Sequence, residues 1–171
     1  MRRIMSTKFF NNGLGNTLFD KLKGIASEMA TFDRFLAVVG FFRSSGYFKL
    51  RKELGDISEI KILVGINIDD IFRKHNKALL MLADEEKAKE IYHNGFKEDI
   101  VNAQYSPEVE EGILQMCEDL VSGRLQMRIH ATKNLHAKFY LCLPQNHSEH
   151  SDGWVIMGSS NISDSGLGIK Q

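Results

Sequence analysis

The chain is poor in residues that staple or interrupt a fold: cysteine and proline each occur twice in 171 residues. The two thiols, Cys117 and Cys142, sit inside apolar stretches without metal-type spacing. This excludes a disulfide-built scaffold and a cysteine-based zinc site, and the expectation is two buried, reduced thiols in an intracellular protein. An excess of charge of one sign is also missing, since Lys plus Arg and Asp plus Glu number 22 each. The chain as a whole therefore exerts no long-range attraction on a polyanion or an anionic membrane, and any such site must be a local patch. No apolar run approaches the roughly 18 residues needed to span a bilayer, and the start, Met1 to Ser6, lacks the apolar stretch of a signal peptide. A cytoplasmic protein that does not meet the membrane is expected. There is also no P-loop, internal repeat or low-complexity segment.

What is present is a globular composition, 43% hydrophobic and 26% charged. The length fits a single domain, 1–171, large enough to close one core without staples. Thr17 or Asn16 is placed to cap a helix whose apolar face is Leu18, Phe19, Leu22, Ile25, Ala26 and Met29. The continuous apolar run within Arg34 to Phe42 predicts a strand covered on both faces. A helix from Ser44 or Ser45 to Leu54, stopped by Gly55, and a strand from Ile60 to Ile66 complete a βαβ unit. From about Asp69 to Gly123 the chain reads as charged and helical. Ser106-Pro107 opens the last helix there, with an inner face of Ile113, Leu114, Cys117, Leu120 and Val121. Leu125–Ile129, Leu135–Leu143 and Gly153–Met157 read as three further strands. The fold class expected is α/β, a mixed β-sheet sandwiched between helices. The chain stops soon after a dense motif, at Gly166 to Gln171, and the expectation is the N-terminal fragment of a longer protein.

That motif carries the chemistry. On a strand from Leu135, alternation sends His136, Lys138 and Tyr140 to one face, so an imidazole and an ammonium stand side by side. The next strand ends in Gly158-Ser159-Ser160-Asn161, which offers hydroxyls, an amide and backbone N–H groups. Lys138 and Asn161 could hold phosphate oxygens while His136 attacks phosphorus or moves a proton, as phosphoryl transfer requires.

His136-x-Lys138 followed some twenty residues later by Gly158-Ser159-x-Asn161 resembles the HKD motif of the phospholipase D superfamily, whose pattern is His-x-Lys, then Asp, then Gly-Ser-x-Asn. Ala37 to Leu54 and Ile60 to Ile66 are similar, more loosely, to the first half of single-motif phospholipase D-like domains attached to helicases and restriction enzymes. The resemblance implies a phospholipase D-like fold and a nuclease-like phosphodiesterase acting on nucleic acid, DNA in the first place. His136 would be the nucleophile, Lys138 and Asn161 would bind the phosphate, and Gly158, Ser159 and Ser160 would line it. No cofactor and no metal would be required. It also implies a homodimer in which one His136 attacks and the other protonates the leaving oxygen, two roles for two imidazoles titrating near neutrality. A helicase domain on the same full-length chain is a further expectation. This sequence departs from the pattern at the Asp, whose position five after Lys138 is Leu143, and the spacing is lengthened by Pro144 to Asp152. Asp152 and Asp164 are candidate replacements, though each also reads as an ordinary loop carboxylate.

The departures support a second reading, a binding module that kept the phosphate cradle and lost turnover. A lipid phosphodiesterase is a third, weakened by the absence of an amphipathic membrane-binding segment. Other signals read as structural. His147-Ser148-Glu149-His150 reads as a solvated loop, His130 and Lys133 as turn residues ahead of the motif, and Gly13-x-Gly15 as a turn. Arg2, Arg3, Lys8, Arg43, Lys49, Arg51 and Lys52, interleaved with Phe9, Phe10 and Phe42, could form a phosphate-binding surface with stacking partners, but read first as solvated faces.

Overall fold

The computed structural model describes residues 9–13, 15–65, 106–130 and 135–169. Helix α1 spans Leu18–Glu28. Thr17 caps it through a reciprocal pair: its hydroxyl accepts from Asp20 N at 3.0 Å, and the Asp20 carboxylate accepts from Thr17 N at 2.9 Å. Strand β1 is Phe32–Val39, helix α2 Ser44–Leu54 and strand β2 Glu59–Val64. Gly55 closes α2 at φ 70°, a backbone conformation that favours glycine. Helix α3 is Pro107–Val121, and the Ser106 hydroxyl at its N-cap accepts from Val109 N. Strands β3 (Leu125–Ile129), β4 (Phe139–Pro144) and β5 (Trp154–Met157) follow, then a single turn of helix, α4, Asp164–Leu167.

The five strands form one mixed sheet in the order β3-β2-β1-β4-β5. β1, β2 and β3 run parallel, β4 is antiparallel to β1, and β5 is antiparallel to β4. The α/β class and the βαβ unit β1-α2-β2 are as expected. The order has a direct consequence for function. β5 points the same way as the parallel strands and β4 the opposite way. One end of the sheet therefore collects the residues after β1, β2, β3 and β5 together with the residues before β4.

The faces of the sheet differ. Phe35, Ala37 and Val39 of β1, Ile60, Ile62 and Val64 of β2, and Tyr140 and Cys142 of β4 are buried in one cluster with Leu18, Leu22 and Ile25 of α1, Tyr47 and Leu50 of α2, and Met116 of α3. On the other face Leu36, Val38, Leu63, Phe139 and Leu141 are half-buried, and Val155 and Met157 are exposed. β1 is thus a strand with one deeply buried face, and the described helices cover that face alone. The expected helical stretch from Asp69 to Tyr105 lies outside the described residues, as do Lys133 and the basic residues Arg2, Arg3 and Lys8.

Two expectations need correction. The inner face of α3 carries Gly112, Met116 and Asp119, with Val109, Ile113 and Leu120 at its border, while Cys117, expected to be buried, is only half-buried and Leu114 and Val121 point to solvent. Gly112 lets Phe48 lie against the helix: a Cβ there would stand 2.5 Å from the Phe48 ring. The strand expected over Leu135–Leu143 begins only at Phe139, so His136 and Lys138 precede it. Among the described residues no helix is long and apolar enough to cross a membrane.

Candidate functional site

Two glycines open the end of the sheet where the motif collects. Gly40 follows β1, and a Cβ on it would stand 3.1 Å from Lys138 Nζ, 3.3 Å from Leu135 O and 3.5 Å from Asn161 Oδ1. Gly65 follows β2, and a Cβ there would lie 2.5 Å from Leu135 O and 2.8 Å from Gly40 O. Residues 135–138 can cross the strand ends this closely because neither glycine has a side chain. Both glycines fall within the apolar runs, Arg34 to Phe42 and Ile60 to Ile66, that predict strands. A glycine in such a run is itself a signal for close backbone approach, and it identifies Gly40 and Gly65 as site residues that motif reading missed.

Lys138 is 5% exposed. Its ammonium donates to His136 O at 2.7 Å and lies 3.0 Å from His136 Nδ1. Burial pushes its pKa below the ordinary lysine value, because a charged amine loses hydration there. Of its three N–H donors, one meets the His136 carbonyl and a second faces the ring, which leaves one without a partner among the described residues. His136 itself is exposed. The two residues lie side by side, with Lys138 inside and His136 at the surface, although no strand ladder holds them.

The turn after β5 is tied down from several sides. Gly158 N donates to Lys138 O at 3.2 Å, and the buried Tyr140 hydroxyl donates to Ser160 O at 2.6 Å. Burial raises the Tyr140 phenol, so it remains a protonated donor. Gly158 and Ser159 are exposed, whereas Ser160 is buried and its hydroxyl accepts from Asn12 Nδ2 at 3.5 Å. Ser160 thus anchors the turn, and Ser159 presents its hydroxyl outward. Asn161 Oδ1 accepts from Phe41 N at 3.0 Å, which orients the amide and leaves Nδ2 unused among the described residues. The chain then enters α4, capped by Ser163, whose backbone lies against Gly46 of α2.

The acidic partner is not at the expected place. Leu143 occupies its position and is buried in β4. Asp152 is exposed, and Asp164 pairs with Lys49 at 2.7 Å. Among the described residues the His136 ring meets Lys138 and no carboxylate. His147 and His150 lie in an exposed loop, where His147 Nδ1 is 2.9 Å from Ser151 Oγ. No group of three His, Cys, Asp or Glu side chains among the described residues is placed to hold a metal ion.

The arrangement is a recessed cation beside a surface imidazole, with an amide donor and an exposed hydroxyl nearby and no carboxylate among the described residues to neutralise it. Such a cluster favours an anion with several oxygens. Compared with known proteins, the chain matches no protein-family model and no curated protein.

Proposed function

We propose that this chain is a phospholipase D-like, nuclease-like phosphodiesterase domain that acts on nucleic acid, DNA in the first place, without a metal ion. The observation that carries the reading is Lys138, a buried ammonium that meets no carboxylate among the described residues and is set against the His136 imidazole. A phosphodiester oxygen would give it the counter-charge it lacks, with Asn161 Nδ2 and Ser159 Oγ as further donors.

A Lys138 ammonium that donates to Nδ1 places the ring proton of His136 on Nε2. Phosphate oxygens that draw the ammonium away let that proton move to Nδ1 and expose the Nε2 lone pair. Nε2 then attacks phosphorus, the P–O bond to the leaving group breaks, and the leaving oxygen takes a proton from His136 of the partner subunit. Water, deprotonated by the same imidazole, next cleaves the P–N bond and regenerates His136. The domain thus works as a homodimer, and the resemblance to helicase- and restriction-associated domains assigns it to a longer DNA-processing protein. Its place is the cytoplasm, with no role for a membrane.

One observation favours a second reading. With Lys138 on Nδ1 and no carboxylate among the described residues to orient the ring, the same cradle suits a non-catalytic nucleic-acid-binding module. The deciding experiment is cleavage of single- and double-stranded DNA and of RNA in EDTA by the chain and by His136→Ala, with the dimer mass measured in parallel. Cleavage that survives EDTA and falls at least about a thousandfold in the variant supports the phosphodiesterase. Salt-dependent binding by a stable dimer without cleavage leaves the binding module standing. Preferential hydrolysis of a phosphatidyl substrate would replace both with a lipid phosphodiesterase.

A further inference from the structure

The Gly158–Ser160 turn is shared between the phosphate site and a groove of about 650 Å³ that includes neither His136 nor Lys138 in its lining. Its other walls carry Phe9, Phe10, Asn11, Lys21 and Trp154, together with Ile25 and the remaining apolar side chains of β5. That volume lies within the roughly 300–1,000 Å³ typical of sites for small organic groups.

The composition of the walls is selective. Phe9 is fully exposed, a state that costs hydration and offers a free ring face. Phe10 packs over the turn: a Cβ at Gly158 would stand 3.6 Å from its Cζ. Lys21 makes no ion pair among the described residues, and its ammonium is available to an anion. The segment carrying both rings is fixed in place. Asn12 donates from Nδ2 to Ser160 Oγ at 3.5 Å and to Gly166 O at 3.4 Å, accepts at Oδ1 from Leu18 N at 3.3 Å, and adopts φ 56°. The rings are therefore hinged on the very turn assigned to the phosphate.

We propose that this groove is a nucleobase subsite, which seats the base next to the bound phosphate and makes single-stranded nucleic acid the preferred substrate. The inference rests on the reading of the turn as a phosphate cradle. Aromatic faces take a base of any identity by stacking, the Asn11 amide can meet its edge, and Lys21 can meet a neighbouring phosphate. An acyl chain would use neither Asn11 Nδ2 nor the Lys21 ammonium, whereas Asn11 Oδ1 is already taken by Gly13 N at 3.0 Å. A base paired within a duplex cannot offer its face to Phe9 or Phe10 without leaving the stack, which is why the groove selects single strands.

Trp154 is the chain's one tryptophan and lines the groove, so its fluorescence reports occupancy. The test titrates the full chain, carrying His136→Ala to prevent turnover, with oligothymidylate and with an abasic oligomer of equal length and charge. The expected result is quenching of Trp154 by oligothymidylate and affinity about tenfold above that for the abasic strand. Replacing Phe9 and Phe10 together by alanine should remove this preference. Phe9→Ala alone alters a fully exposed residue, keeps the fold, and should remove part of it. Equal affinity for both strands, equal quenching by a duplex, or displacement of the strand by dodecyl phosphate but not by inorganic phosphate would each overturn the proposal. Loss of base preference in a chain that never cleaves DNA sustains the groove and removes the phosphodiesterase. Cleavage with unchanged KM for single strands in the double variant sustains the phosphodiesterase and removes the groove.

Discussion

The two ends of the sheet each bury a basic side chain, and they treat it in opposite ways. At the end where β2 and β3 begin, Arg51 is 7% exposed and meets the fully buried Asp119 through Nε at 2.6 Å and Nη2 at 3.2 Å. Tyr47, Gln115 and Arg124 also donate to that carboxylate, and Arg51 Nη1 donates to Gly55 O at 2.6 Å. Burial works to raise the Asp119 pKa, but the hydrogen bonds and charge of Arg51, with Tyr47 and Arg124, outweigh it and hold the carboxyl below its ordinary range. At the opposite end Lys138 is as deeply buried, yet among the described residues it meets only the carbonyl and ring of His136. The difference separates structure from function. A buried cation closed by a carboxylate joins α2 to α3, whereas one closed by neutral acceptors retains a charge that an incoming anion can balance.

The largest effect that tests this contrast is Asp119→Ala. It strands Arg51 in the interior and should cost about 3–5 kcal/mol, lowering Tm by roughly 10 °C. A loss below about 1 kcal/mol in thermal unfolding would erase the distinction between the ends. Gly40→Ala comes next: a Cβ 3.1 Å from Lys138 Nζ should displace the ammonium and weaken oligonucleotide binding about tenfold in anisotropy titrations, at a stability cost near 1 kcal/mol. Lys138→Met should have the inverse signature. It removes a poorly solvated charge, so urea unfolding should show unchanged stability or a gain of up to about 1 kcal/mol, while competition by inorganic phosphate disappears.

The smallest effect is in pH dependence, and the signs differ at the two ends. Because Lys138 titrates below its ordinary 10.5, the unfolded chain holds more protons between the depressed value and 10.5. Stability should therefore rise with pH through that window, and the rise should be absent in Lys138→Met. Asp119 titrates below its ordinary 3.8, so the stability it supplies is complete above that value and is lost as pH falls through the folded-state pKa. Urea midpoints followed across both windows would separate the two groups.

Local patterns made most of the architecture legible. Thr17, Ser106 with Pro107 and Gly55 mark helix ends because capping is decided by neighbouring backbone groups. Apolar runs revealed β1 and β2 but overran them, since the pattern does not distinguish a strand from the glycine that ends it beside another segment. The α3 face was misread for a related reason. Counting apolar residues passes over Gly112, which makes room for Phe48, and Asp119, which is buried because its partners come from α2 and from the start of β3. At the site, the spacing of His136, Lys138, Gly158, Ser159 and Asn161 was visible, whereas the outward Ser159 and the anchoring Ser160 look alike in sequence.

Hydrophobic periodicity and caps, which depend on residues a few positions apart, were enough to establish an α/β chain with a βαβ unit, and a spacing that resembles a known motif singled out His136, Lys138 and the turn after β5. That these residues belong to one place depends on strand order and on the reversal of β4, which join groups far apart in the chain, such as Phe41 N and Asn161 Oδ1 at a separation of 120 residues. Burial of Lys138 without a carboxylate among the described residues, and the placement of a groove against its neighbouring turn, were likewise decided by tertiary structure, because desolvation and charge pairing are properties of what surrounds a side chain and not of what adjoins it in sequence.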